Sequence, residues 1–297
     1  MPAAPAERAP ARAGAEGLLL VDKPAGVSSH DVVLAARRAF GEKRIGHAGT
    51  LDPFATGLLV LLLGRVTRLL PYLDGEPKEY LATIRFGEET DTEDLLGQVV
   101  RTAPPPSDEA IRQVLPRLTG QIEQFPPAYS AKRVGGKRAY AVARTGEIPQ
   151  LRPVLVRVHE WELLERRGDD LDVRVVCGAG TYVRSLGRDL GRYAGSAAHL
   201  VALRRTRSGP FRVEEAAALD VVREGRARLL SPLVGLPSLA VEHLDDAAVA
   251  KIVRGIDVPA TASGERGALV SASTGQLVAV AERRGDRWQP RVVMRDG

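Results

Sequence analysis

Cysteine is nearly absent from this sequence of 297 residues, with Cys177 as its one example. That excludes an internal disulfide and any multi-cysteine zinc or iron–sulfur site, and it suits a reducing compartment. Aromatic residues make up only 4%, so an aromatic away from an obvious core position deserves a functional question. Long hydrophobic runs are missing as well. The longest, residues 58–63, is far short of the roughly 20 residues of a membrane-spanning helix. Lysine is scarce too: of the 42 basic residues, 6 are Lys and 36 are Arg. Arginine is the side chain whose planar fork suits bidentate phosphate contacts.

What is present describes an ordinary globular chain. Hydrophobic residues make up 44% and charged residues 27%, and 42 basic against 37 acidic side chains give a net charge of +5. This is neither a disordered tail nor a membrane bundle. The length suits one large domain or two unequal ones with ample core. Residues 1–16 are rich in Ala and Pro and carry Arg8 and Arg12; lacking the apolar centre of a secretory signal, they read as a disordered tail. Lys132, Arg133, Lys137, Arg138 and Arg144 form a basic run without an intervening acid. Arg184, Arg188, Arg192, Arg204, Arg205, Arg207 and Arg212 form a second, broken only by Asp189. Each run is either a solvated face or a surface that tracks phosphates.

The pattern of elements is mixed. Residues 17–22 read as a strand, followed by a Lys-Pro-Ala-Gly turn and a helix over 29–40 capped by Ser28. Residues 80–86 alternate as a strand, and Ser107 opens a helix reaching about Leu118 with acids in its first turn. Residues 154–164 and 171–177 form a hairpin about Arg167-Gly168-Asp169-Asp170, and a helix spans 182–193. A helix is expected over 214–230, another over 245–254, and strands over 268–271 and 276–281. Without a regular βαβ rhythm, the chain is an α+β protein built on a mixed, mostly antiparallel sheet. A boundary near Leu236 separates a main domain, 17–236, from a small β-rich domain, 237–297.

The most unusual segment is Gly46-His47-Ala48-Gly49-Thr50-Leu51-Asp52-Pro53-Phe54-Ala55-Thr56-Gly57, which runs into the apolar 58–63. Its glycines let the backbone turn tightly and hold Asp52 against buried structure. A plain alternative is that Asp52 caps a helix with Pro53 at its first position. Five acids within 88–94 (Glu88, Glu89, Asp91, Glu93 and Asp94) lack the spacing of a calcium loop and read as a solvated or RNA-adjacent turn. No phosphate-binding loop or dinucleotide fingerprint is present.

The segment resembles the catalytic loop of the tRNA pseudouridine-55 synthases, the TruB family. The resemblance extends in order through Gly17-Leu18-Leu19-Leu20-Val21-Asp22-Lys23-Pro24-Ala25-Gly26-Val27-Ser28-Ser29, Lys78-Glu79-Tyr80, Phe86-Gly87 with Thr90-Asp91-Thr92, Pro126-Pro127-Ala128-Tyr129-Ser130-Ala131, Gly180-Thr181-Tyr182-Val183-Arg184-Ser185-Leu186 and His199-Leu200-Val201-Ala202-Leu203-Arg204-Arg205. It covers roughly residues 17–210. The C-terminal part is only loosely similar to a small PUA-like RNA-binding domain. Phe54 stands where the family commonly has Leu, and a frequent Leu is missing before Lys132. Neither departure removes a chemical group.

The resemblance implies the pseudouridine-synthase fold and isomerisation of a uridine at position 55, in the T-loop of tRNA. The base is extruded, its glycosidic bond is cleaved, and C5 is rejoined to C1′. Asp52 matches the essential aspartate, acting on C1′ or through a glycal. Arg184 matches its arginine partner, and Tyr80 the tyrosine that stacks on the flipped uracil and takes part in removing the C5 proton. His47, Lys23, Leu203, Tyr182, Lys132 and Arg133 are expected to bind substrate, His47 by entering the T-loop, Lys23 by holding RNA backbone or steadying the pocket, and Leu203 by bordering the base. The tRNA T-arm is the expected partner. A cytoplasmic monomer is expected, with no protein partner, membrane, metal or cofactor. Two rivals remain: an RNA chaperone on the same fold, which would tolerate loss of Asp52, Tyr80 or Arg184, and a glycosidase-like hydrolase, which needs a second carboxylate that no motif supplies.

Overall fold

The computed structural model describes residues 14–130, 133–134, 137–138 and 151–294. In chain order its elements are β1 (Gly17–Lys23), α1 (Ser29–Phe40), β2 (Ile45–Ala48), β3 (Thr56–Leu63), a 3-10 helix (Gly64–Tyr72), β4 (Lys78–Phe86), β5 (Glu88–Thr90), β6 (Val99–Thr102) and α2 (Asp108–Val114) with a 3-10 turn at Leu115–Leu118. Then come β7 (Gly120–Gln124), β8 (Arg133–Val134), β9 (Lys137–Arg138), β10 (Val154–Arg167), β11 (Asp170–Cys177), α3 (Val183–Tyr193) and β12 (Ala198–Ser208). The remainder is β13 (Phe211–Arg212), β14 (Ala217–Ala218), α4 (Leu219–Arg223), β15 (Ala240–Leu244), α5 (Asp246–Val253), β16 (Val258–Pro259), β17 (Arg266–Ser271), β18 (Leu277–Arg284) and β19 (Arg287–Val293). Two compact units result. The first takes the described residues up to Pro53, Gly57–Gly75 and the chain from Gly209 onward; the second takes Phe54–Thr56 and Glu76–Ser208.

In the first unit β3 is flanked by β1 and β2, both antiparallel to it, and β14 adds to β1 in parallel. Residues 58–63 are all buried, which is why they read as an unbroken apolar run: a strand covered on both faces has no polar side to alternate with. Leu58, Val60 and Leu62 share one core with Leu18 and Leu20 of β1 and with Ala268, Leu277, Val280 and Val292 of the C-terminal strands. Those strands make a five-stranded sheet in the order β15-β17-β18-β19-β16. Within it the buried Glu242 carboxylate accepts hydrogen bonds from the N–H groups of Thr261 and Ala262, the Thr261 hydroxyl and the Trp288 indole. Burial pushes its pKa up, but these donors outweigh that and hold it at about 2.

The second unit is built on the antiparallel order β12-β4-β11-β10-β7. Tyr80, Ala82, Ile84 and Phe86 alternate along the buried face of β4, the period of two that a half-covered strand requires. Taken together the chain is an α+β protein with mixed and mostly antiparallel pairing, as expected. Among the described residues no helix is long and apolar enough to cross a membrane.

Local signals account for most boundaries. Ser28 caps α1 through its side chain, and Asp31 completes a capping box by bonding back to the Ser28 N–H. The hairpin turn is tighter than expected, because Arg167 still pairs with Asp170 and only Gly168 and Asp169 remain between the strands. The helix expected over 214–230 does not form. A 3-10 turn (Val213–Glu215), β14 and the short α4 take its place, since Ala217 and Ala218 extend to pair with Val21 and Asp22. Of the expected tail, residues 1–13 lie outside the described residues; Ala15 is buried and Glu16 pairs with Arg65 at 3.0 Å.

Candidate active site

Asp52 sits half-buried between β2 and β3, where the chain bends at Pro53 and Phe54 and enters β3 at Thr56. No helix follows it, so the capping reading of Asp52 and Pro53 falls away. Both of its neighbours are anchored. The Ser29 hydroxyl accepts from the Leu51 N–H at 2.9 Å and donates to the Leu51 carbonyl at 3.0 Å. On the other side the Pro53 carbonyl accepts from the Gly26 N–H at 2.8 Å and from Lys23 Nζ at 3.3 Å. Gly26 has φ of +81°, a conformation in which a side chain would be strained. Lys23 is fully buried, and its ammonium also reaches the carbonyls of Pro24 and Val27, at 3.0 and 2.7 Å. The Lys23 ammonium thus ties the turn after β1 to the peptide that follows Asp52. His47 is half-buried in β2, opposite Leu61.

In the second unit the register of β4 sets Tyr80 between Val175 of β11 and Arg205 of β12, and Leu203 opposite Ala82. Directly paired residues share a face, so Tyr80, Leu203 and Arg205 line one side of the sheet. All three are buried, Arg205 almost completely. The sequence presents Arg205 in a basic run and at the end of one matching motif, and its place beside Tyr80 emerges from the strand register. The Lys78 ammonium is held below its usual range by burial and then by the charge of Arg205. Burial raises the Cys177 thiol to about 11, which keeps it un-ionised and a poor nucleophile. Tyr182 is the N-cap residue of α3. The buried Gln124 amide fixes it twice, accepting from the Tyr182 N–H at 2.8 Å and donating to its carbonyl at 3.0 Å.

Arg184 opens α3 and is buried. Its Nη1 donates to the Thr92 carbonyl at 2.7 Å and lies 3.5 Å from the Asp94 carboxylate, and Nη2 donates to the Tyr129 carbonyl at 2.9 Å. The next turns of the helix repeat the theme. Arg188 pairs with Glu93, and Arg192 pairs with Glu89 through two bonds. The spacing of four puts the three guanidinium groups on one face of α3, opposite an acidic segment in which Glu89, Glu93 and Asp94 are buried. Two expectations are thereby corrected. Those three acids are not a solvated turn, and Arg184 and Arg188 are not a solvated face or a phosphate track, because each side neutralises the other in a buried place where an unmatched charge is costly, while Arg192 pairs with Glu89 from a half-exposed position.

Lys23, His47 and Asp52 belong to the first unit, and Tyr80, Leu203, Tyr182 and Arg184 to the second. Lys132 lies outside the described residues, and Arg133 is described only as backbone in β8. Among the described residues no group of three or more His, Cys, Asp or Glu is placed to hold a metal.

Comparison with known proteins points to one family. A sequence model of the TruB family pseudouridylate synthase N-terminal domain matches residues 37–183, and one of the tRNA pseudouridylate synthase B C-terminal domain matches residues 184–228. The chain is 44% identical over 291 residues to the tRNA pseudouridine synthase B of Thermobifida fusca, covering 94% of this chain and 98% of that one. It is 43% identical over 286 residues to that of Mycobacterium tuberculosis, covering 94% and 96%. Among solved structures it is similar to a Cbf5-Nop10-Gar1 complex, with a TM-score of 0.70 and 26% identity over 94% of this chain and 85% of that one. A second likeness is to an H/ACA RNP bound to a substrate RNA containing 2′-deoxyuridine, with a TM-score of 0.68 and 25% identity over 94% and 85%.

Proposed function

The chain belongs to the TruB family of pseudouridylate synthases, and from that premise we propose that the uridine it converts to pseudouridine in tRNA is the one at position 55 of the T-loop, with Asp52 as the group that opens the glycosidic bond. The observation that carries the reading is the double anchoring of Asp52. Its neighbours are fixed by Ser29 on one side and by Gly26 and Lys23 on the other, so the carboxylate is held before substrate arrives. Fixed charge is what a reaction at an anomeric carbon needs, because it costs no reorganisation as positive character develops at C1′.

The target base lies inside a folded arm and has to leave its stack to be reached. Attack on C1′ and removal of a ribose proton to give a glycal both use the same carboxylate. Once the base is detached it turns, C5 bonds to C1′, and the C5 proton departs. Tyr80 supplies the stacking face, and its hydroxyl is a partner for that last proton. Leu203 borders the base, and Arg184 acts with Asp52 in the reaction. His47, Tyr182, Lys132 and Arg133 contact RNA, the C-terminal five-stranded sheet is a PUA-like RNA-binding element, and the enzyme works as a cytoplasmic monomer. The likeness to a protein solved with a substrate RNA supports this reading.

The test is to incubate the purified protein with an unmodified tRNA transcript and map the product by chemical labelling of pseudouridine and primer extension. One modified position, in the T-loop, is expected. A product confined to another arm would overturn the assignment.

A further inference from the structure

Three partners of the Arg184 guanidinium lie on loops. Thr92 and Asp94 flank Glu93 between β5 and β6, and Tyr129 ends the segment that follows β7. The helix fixes where the Arg184 backbone begins, but the guanidinium goes where these loops send it. Whatever fixes the loops therefore aims Arg184.

Glu93 stands at the centre of that arrangement. Among the described residues it is the one non-glycine with a left-handed backbone, φ of +61°, a conformation that strains a residue bearing a Cβ. Such a residue persists when its surroundings over-determine it, and here four contacts do so. Its N–H donates to the Thr90 carbonyl at 3.1 Å, and its carbonyl accepts from the Leu200 N–H at 3.1 Å. Its carboxylate accepts from the Ser185 hydroxyl at 2.8 Å and from Arg188 Nη1. Burial raises its pKa, and Arg188 and then Ser185 pull it back. Ser185 follows Arg184 directly, and Arg188 is one turn further along.

Arg188 also joins the two loops. Its Nη2 donates to the Phe125 carbonyl at 3.2 Å, four residues before the Tyr129 carbonyl that Arg184 holds. The turn is closely packed at Gly97, where a Cβ would meet Asp91 Oδ1 and Thr92 Oγ1 at 2.4 Å. We infer that Glu93 is a positioning residue for the reaction, which through Ser185 and Arg188 locks the 92–94 turn and the 125–129 segment so that Arg184 is presented in one orientation. The inference rests on the role proposed above for Arg184.

The experiment is a double-mutant cycle read by single-turnover rate and tRNA affinity, with Glu93→Gly, Ser185→Ala, Arg184→Lys and their combinations. Glycine adopts φ of +61° without strain, so Glu93→Gly removes the carboxylate and keeps the turn. Glu93→Gly should lower the rate about tenfold or more with tRNA affinity within about twofold, yet cost less than about twofold further in the Arg184→Lys background, because groups acting through one another are non-additive. Arg192→Gln, at the far rung, should retain the rate. Losses from Glu93→Gly that multiply independently with those of Arg184→Lys would make Glu93 a stability residue and overturn the inference. So would a slow Arg184→Lys beside a Glu93→Gly of wild-type rate. A wild-type rate for Arg184→Lys would instead overturn the role of Arg184, and the inference with it. Should Glu93→Gly not fold, Ser185→Ala carries the test: a rate loss that vanishes in the Arg184→Lys background supports the inference, and one that persists overturns it.

Discussion

The Ser29 hydroxyl serves both the N–H and the carbonyl of Leu51, so the first turn of α1 grips the residue immediately before Asp52. Sequence separation between them is 22 residues. The residue that follows the helix cap is thus also a support for the loop that carries the chemistry.

Ser29→Ala should leave both the N–H and the carbonyl of the buried Leu51 without their hydroxyl partner. An unsatisfied buried group costs about 1–3 kcal/mol, so the melting temperature should fall, and the single-turnover rate should fall with it while tRNA affinity holds. Thermal melts beside rate measurements check this; a lower melting temperature with an unchanged rate would leave the Lys23 side as the sufficient anchor.

Asp52→Asn keeps the shape of the side chain and removes the charge. Isomerisation should drop by more than the roughly 10²–10⁴-fold that a positioned acid–base group contributes, while filter binding to tRNA survives. Full turnover by the Asn variant would remove Asp52 from the mechanism.

Tyr80→Phe retains the ring and loses the hydroxyl. Stacking, worth about 1–3 kcal/mol per base, should persist, so affinity stays near wild type while tritium release from C5 slows. Tyr80→Leu should weaken binding as well. If the Phe variant releases tritium at the wild-type rate, Tyr80 is confined to stacking.

Glu242→Gln probes the C-terminal sheet. Its carboxyl is depressed from 4.5 to about 2, so the stability it contributes is fully present above pH 4.5 and is lost as pH falls towards 2. The variant should melt lower than wild type at pH 7, and the gap should narrow by pH 3. A gap of constant size across that window would show that the carboxylate charge is not the source.

Much of this was legible in the sequence because its signals are local. Ser28 with Asp31, the alternation from Tyr80 to Phe86 and the hairpin about Gly168 and Asp169 each depend on residues within a few positions of one another. The ordered motifs gave the family for the same reason. The pairing of α3 with its acids was hidden, since Arg188 and Glu93 are 95 residues apart and Arg192 and Glu89 are 103 apart. Read alone, each run resembles a solvated surface. Residues 214–230 misled in the opposite sense: an Ala-rich stretch with good helical propensity was drawn into extended pairing with β1, where tertiary contact outweighs propensity.

The enclosure of Lys23 gives the loop a chemical signature. Amine reagents attack the neutral, accessible lysine, and this ammonium is fully buried with three backbone carbonyls around it. Acylation of Lys23 must therefore await an opening that frees the Pro53 carbonyl and with it one anchor of Asp52. Its labelling rate in mass spectrometry, set against that of the other lysines, becomes a clock for how often the catalytic loop comes apart.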